Sequence, residues 1–175
     1  MLFRLFSLLL IGILSVVVQI GLVAVFPAPF SFINVVLIVL FSYFFWSQNI
    51  KTSFFLIIWT GFLLELFGPA FFGLSVLSLF LSFLLIVAIC NTFLTNKTTV
   101  VLATTAFLMF VFYNLIFAFF IFLVNIKYNL GTSYSFLSAF KNGIFAGLVN
   151  LPLILLINFF RRKFLGFFKQ VFIIR

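Results

Sequence analysis

The sequence predicts an all-α polytopic membrane protein, a single transmembrane domain over residues 1–175 with six transmembrane helices, and three observations carry that prediction. The chain is 67% hydrophobic and 6% charged, with a mean hydropathy of +1.49. No water-soluble domain of this length could carry such a surface without aggregating. At about 20 apolar residues per span there is room for about six spans and almost nothing else. Proline-containing or polar segments also interrupt the apolar sequence at 27–29, 47–51, 68–73, 91–99 and 125–135, which divides it into six runs.

The first span covers residues 3–26, too long and too lacking in a small-residue cleavage site to read as a removable signal peptide. Beyond Arg4 at its start, Gln19 is its only strongly polar side chain. Pro27 and Pro29 end it, because proline has no N–H to donate and two within three residues make a turn. The second span, Ser31 to Trp46, begins near Asn34 and ends with Tyr43 and Trp46, whose amphipathic rings favour the interface. A polar turn, Ser47-Gln48-Asn49, carries Lys51 into the third span, Thr52 to Phe67. That span is ~24 Å long as a helix, short of the ~30 Å hydrocarbon core.

The third span holds the chain's one acidic residue, Glu65, and stops at Gly68-Pro69. The fourth begins at Gly73 and runs to about Leu94, so 60–79 reads as a helical hairpin with a carboxylate at its tip. A carboxylate in hydrocarbon costs roughly 2.5 to 3.5 kcal/mol on insertion scales and faces protein or water. One reading has Glu65 accept hydrogen bonds from the unpaired N–H groups that open the next helix around Gly73 to Ser75. The other readings are a contact surface, a ligand contact, or an ion pair with Lys127 or Lys141.

Ser75, Ser78 and Ser82 give the fourth span a small-residue face. The fifth span is Val100 to Val124, with Tyr113 and Asn114 at mid-helix as interhelical hydrogen-bonding candidates. Asn125 to Ser135 is the most polar connection and the expected exposed loop. The sixth span starts between Phe136 and Gly143, ends near Phe160, and contains Asn150, Pro152 and a Gly143-x-x-x-Gly147 close-packing motif. Arg161-Arg162-Lys163 closes it, and the tail that follows is expected along the lipid headgroups.

The net charge of +9 comes from ten basic residues scattered singly between spans except at the C-terminus, a topology signal and not a nucleic-acid-binding face. Cytoplasmic termini put Arg4, Lys51, Lys97, Arg161, Arg162, Lys163, Lys169 and Arg175 inside, against Lys127 and Lys141 outside. Without His, and with Cys90 the one cysteine, the chain has neither a His/Cys metal cluster nor an intramolecular disulfide, and no cofactor is expected. There is no phosphate-cradling glycine loop, and Glu65 has no second acid or His with which to do acid–base work. Catalysis is not expected, and a membrane scaffold or partner subunit gains by elimination.

The segment TGFLLELFGPAFFGLSVLSL, through Gly61, Phe62, Leu63, Leu64, Glu65, Leu66, Phe72, Gly73 and Leu74, resembles the rod-shape-determining protein MreD family. The short first loop (Pro27, Pro29) and a sixth span with Asn142, Gly143, Asn150 and Pro152 before a basic end are also similar. In that family the acid is typically Asp, and here it is one methylene longer. The resemblance implies a non-enzymatic inner-membrane component of the cell-elongation machinery, partnered by the bitopic coiled-coil protein MreC and, through it, the peptidoglycan synthases. Gly61, Glu65, Gly68, Pro69, Gly73, Gly143 and Gly147 are then the structural or interaction residues. The family is similar in fold to the substrate-binding S components of energy-coupling-factor transporters, so capture of a vitamin is the alternative.

Overall fold

In a computed structural model, the described residues are 2–47, 49–67, 72–93, 98–128 and 135–172, with backbone alone at 2–5, 92–93, 128, 162 and 164–172. They form six α-helices: α1 (Leu2–Val25), α2 (Val35–Ser47), α3 (Ile50–Phe67), α4 (Leu74–Phe93), α5 (Thr99–Tyr128) and α6 (Phe136–Phe172). A 3-10 turn, Phe30–Phe32, lies between α1 and α2, and there is no strand among the described residues. Five of the helices (α1, α3, α4, α5 and α6) are long and apolar enough to cross a bilayer. The protein is a helical membrane protein.

The exception is α2, whose 13 residues reach only ~20 Å. It is also the most enclosed helix, with Val36, Leu37, Ile38, Leu40, Phe41, Ser42 and Phe44 buried. Its neighbours are α1, α3, α5 and α6, while α1, α3, α4, α5 and α6 pack in that order around it. A helix apolar all round belongs in such a place, because it has no polar face to turn to a headgroup region. The 3-10 turn touches both α1 and α6 and closes the arc at the α2 N-terminus.

Aromatic rings fill the space between α2, α3 and α4. Phe83 meets Phe44 edge-on at 4.9 Å between centroids and Phe54 edge-on at 5.5 Å. Such pairs add about 0.5–1.5 kcal/mol each beyond the area they bury. The outward faces of the long helices carry Leu14, Val17, Leu77, Phe119, Leu148 and Leu156, as lipid-facing surface should.

Two segments differ from expectation. Asn125, Ile126, Lys127 and Tyr128, expected in a loop, are the last turn of α5. The 30 residues of α5 rise ~45 Å, more than the hydrocarbon is thick, so a polar last turn can stay helical where it leaves the apolar layer. The C-terminal tail is a continuation of α6, which runs through Pro152 and the basic run to Phe172. Gly68, Pro69 and the lysine-bearing turn at 94–97 lie outside the described residues.

Candidate functional site

The α3–α4 hairpin is built around Glu65. Gly73 precedes the first residue of α4 at φ +94, a backbone conformation that glycine adopts without steric cost. Its carbonyl accepts the first helical bond, from the Leu77 amide at 3.0 Å. A glycine in this capping position has no side chain to satisfy the open N–H groups of the first turn. Glu65 supplies the acceptor from the preceding helix: the Val76 amide donates to Oε1 at 2.9 Å. The expected bond is therefore made one residue beyond the stretch anticipated, and it goes to main chain and not to Lys127 or Lys141.

Glu65 is only 7% exposed, and its Oε2 is buried with no hydrogen-bond partner among the described residues. One turn earlier on the same face, a Cβ at Gly61 would stand 2.9 Å from the Val76 Cα. Val76 thus abuts the Gly61 backbone and bonds the Glu65 carboxylate. Gly61 lets the two backbones close to that distance, and the carboxylate then reaches the amide.

Gly143 and Gly147 are buried inside the chain. A Cβ at Gly143 would meet the Val111 Cα at 3.1 Å, and one at Gly147 would meet the Phe107 ring at 2.6 Å. The close-packing face that the spacing marks is occupied by α5. A GxxxG motif marks a close approach but does not name the helix that makes it.

A second polar constellation was not legible in the sequence. Between Pro27 and Val35 the backbone is not α-helical, although it lies beside α1 and α6. Irregular backbone is tolerated at membrane depth only where protein satisfies its polar groups. Here the 3-10 turn covers some, with Phe30 donating to Pro27 O (3.1 Å) and Ile33 to Phe30 O (3.0 Å). Side chains from two other helices cover four more.

Gln19 of α1 donates through Nε2 to Ile33 O at 3.1 Å and accepts the Val35 amide on Oε1. Asn150 of α6 accepts the Asn34 amide on Oδ1 at 2.9 Å and donates through Nδ2 to Phe32 O at 2.8 Å. Asn34 in turn caps α2 through Oδ1, which accepts the Leu37 amide at 3.1 Å. The short α2 is thereby anchored both to α1, its neighbour in the chain, and to α6, more than 100 residues away. Asn150 is fully buried and also donates to Ala146 O at 2.7 Å in its own helix.

Other interior hydroxyls bond locally: Thr60 to Leu56 O (2.8 Å), Ser15 to Gly12 O (2.8 Å) and Ser82 to Leu79 O (3.0 Å). Among the described residues no group of His, Cys, Asp and Glu could hold a metal ion. Fold and site together define a polytopic helical membrane protein whose interior polar side chains largely hold its own backbone. No family model, no curated protein and no solved structure matches the chain.

Proposed function

We propose that this protein is a non-enzymatic component of the bacterial cell-elongation machinery, which directs peptidoglycan synthesis in rod-shaped cells. In this reading it sits in the inner (cytoplasmic) membrane with six spans and both termini cytoplasmic. It acts by binding another membrane protein, a bitopic coiled-coil partner of the MreC kind, and takes no nucleic acid. The observation that carries the reading is the engagement of Gln19, Asn34, Asn150 and Glu65 with main-chain groups of the chain itself. A small-molecule capture subunit would need such groups to converge on an outward pocket. The Gly61–Glu65–Gly73 geometry supports a rigid hairpin at the segment where the resemblance to the MreD family is concentrated.

Six crossings follow if α2 and the clamped 27–34 segment cross together, the irregular part covering the depth that the helix leaves. The bias of basic residues toward one side supports cytoplasmic termini. Depletion in a rod-shaped host tests the function. Loss of rod shape and rounding of the cells are expected, with purified protein binding no vitamin. Nanomolar vitamin binding and unchanged cell shape would replace this reading with the transporter-subunit one.

A further inference from the structure

Along α2, on the side away from its edge-on ring contact with α4, lies an apolar groove of about 180 Å³. Ile11 of α1 and Ile157 of α6 form its walls, and Ile38, Val39, Ser42, Tyr43 and Trp46 of α2 line the remainder. An apolar cavity of about 150 Å³ already stays dry and takes a benzene-sized hydrocarbon guest, so a hydrocarbon suits this space better than water. From Ile38 to Trp46 the groove follows α2 for ~12 Å.

Trp46 also lies under a cation. The Arg161 guanidinium is 4.8 Å from the centroid of its ring, one helical turn beyond Ile157. The chain's one acid, Glu65, is bonded to the Val76 amide, so no carboxylate side chain is left to balance Arg161. The Trp46 Nε1 is a buried donor that no acceptor meets among the described residues. One ring therefore joins a narrow apolar groove to a guanidinium that no carboxylate meets among the described residues, at the level where the basic run closes α6.

We infer that this groove holds one acyl chain of an anionic phospholipid whose phosphate is bound by Arg161. The guanidinium presents forked donors suited to a phosphate while its face rests on the indole. The acyl chain runs from Trp46 toward Ile38. The site is independent of the function proposed above.

Fluorescence quenching by lipids with brominated chains tests this in vesicles. Trp59→Phe leaves Trp46 as the sole tryptophan, since the sequence has two. It removes one long bond, from Trp59 Nε1 to Leu9 O at 3.3 Å. Brominated phosphatidylglycerol is expected to associate with Trp46 about fivefold more strongly than brominated phosphatidylcholine. Arg161→Gln should abolish that preference, Lys163→Gln should keep most of it, and Val39→Phe should lower quenching by both lipids.

Equal quenching by the two lipids overturns the site. So does a preference that survives Arg161→Gln, or one lost equally with Lys163→Gln, which marks diffuse surface charge. Should the Trp59 variant not fold, native mass spectrometry of the otherwise unaltered chain reads the same ratio from retained lipid, with and without Arg161→Gln.

Discussion

Replacing Asn150 by leucine should be among the most damaging single changes in this protein. The side chain accepts the Asn34 amide and donates to Phe32 O, and leucine does neither. The third bond, to Ala146 O, matters less because that carbonyl belongs to the helix ladder. Two main-chain groups beside a fully buried position lose their partners, at about 1–3 kcal/mol each when nothing replaces them. Interhelical hydrogen bonds in membranes average nearer 0.6 kcal/mol, because the unfolded chain in lipid also finds partners. The irregular segment has no helical alternative for these groups, so a loss of about 2–4 kcal/mol is expected, within the range those two scales bracket.

Reversible unfolding in mixed micelles, monitored by circular dichroism, measures this, with Asn114→Ala as the comparison. Asn114 Nδ2 donates to Phe110 O within its own helix, so its loss should cost under about 1 kcal/mol. If Asn150→Leu costs no more than Asn114→Ala, the clamp does not hold α2 and the reasoning fails.

At the hairpin, Glu65→Gln keeps an acceptor for the Val76 amide and should stay near the parent, whereas Glu65→Leu should lower stability by about 1–3 kcal/mol in detergent melts. Equal loss of function in both variants at unchanged stability would make Glu65 a contact residue. Gly61→Ala puts a methyl 2.9 Å from the Val76 Cα and should cost about 1–3 kcal/mol, while Gly21→Ala, with nothing within 4 Å, should be neutral or stabilising by up to about 1 kcal/mol. In a Cys90→Ser background, a cysteine at the exposed Ser135 should react with an impermeant maleimide from outside the cell, and one at the exposed Lys51 should not; the reverse pattern would overturn the orientation.

The hairpin was legible in the sequence because its parts are local and rare. One acid stands eight residues before Gly73, and a carboxylate in an apolar run needs a donor nearby. The clamp was not legible, because Asn150 lies 116 residues from Asn34 and 118 from Phe32, and each polar residue alone reads as an ordinary interhelical bond. The prolines announced a break after α1, but the length of non-helical chain, and so the shortness of α2, depends on side chains from α1 and α6. For Gly143 and Gly147 the sequence marked a close approach, and only packing shows that the Phe107 ring and Val111 occupy it. The end of α5 was misplaced because Asn125, Lys127 and Tyr128 are polar, although a helix already formed in the hydrocarbon can extend by a turn beyond it.

Whether this protein works by holding another membrane protein is tested most directly by purifying it, tagged, from native membranes under mild detergent and identifying what accompanies it. A single-span coiled-coil protein recovered in near-stoichiometric amount, and weakened by Gly61→Leu at the hairpin, is the expected result. Recovery of an ATPase module in its place, together with vitamin binding at nanomolar concentration, would contradict it.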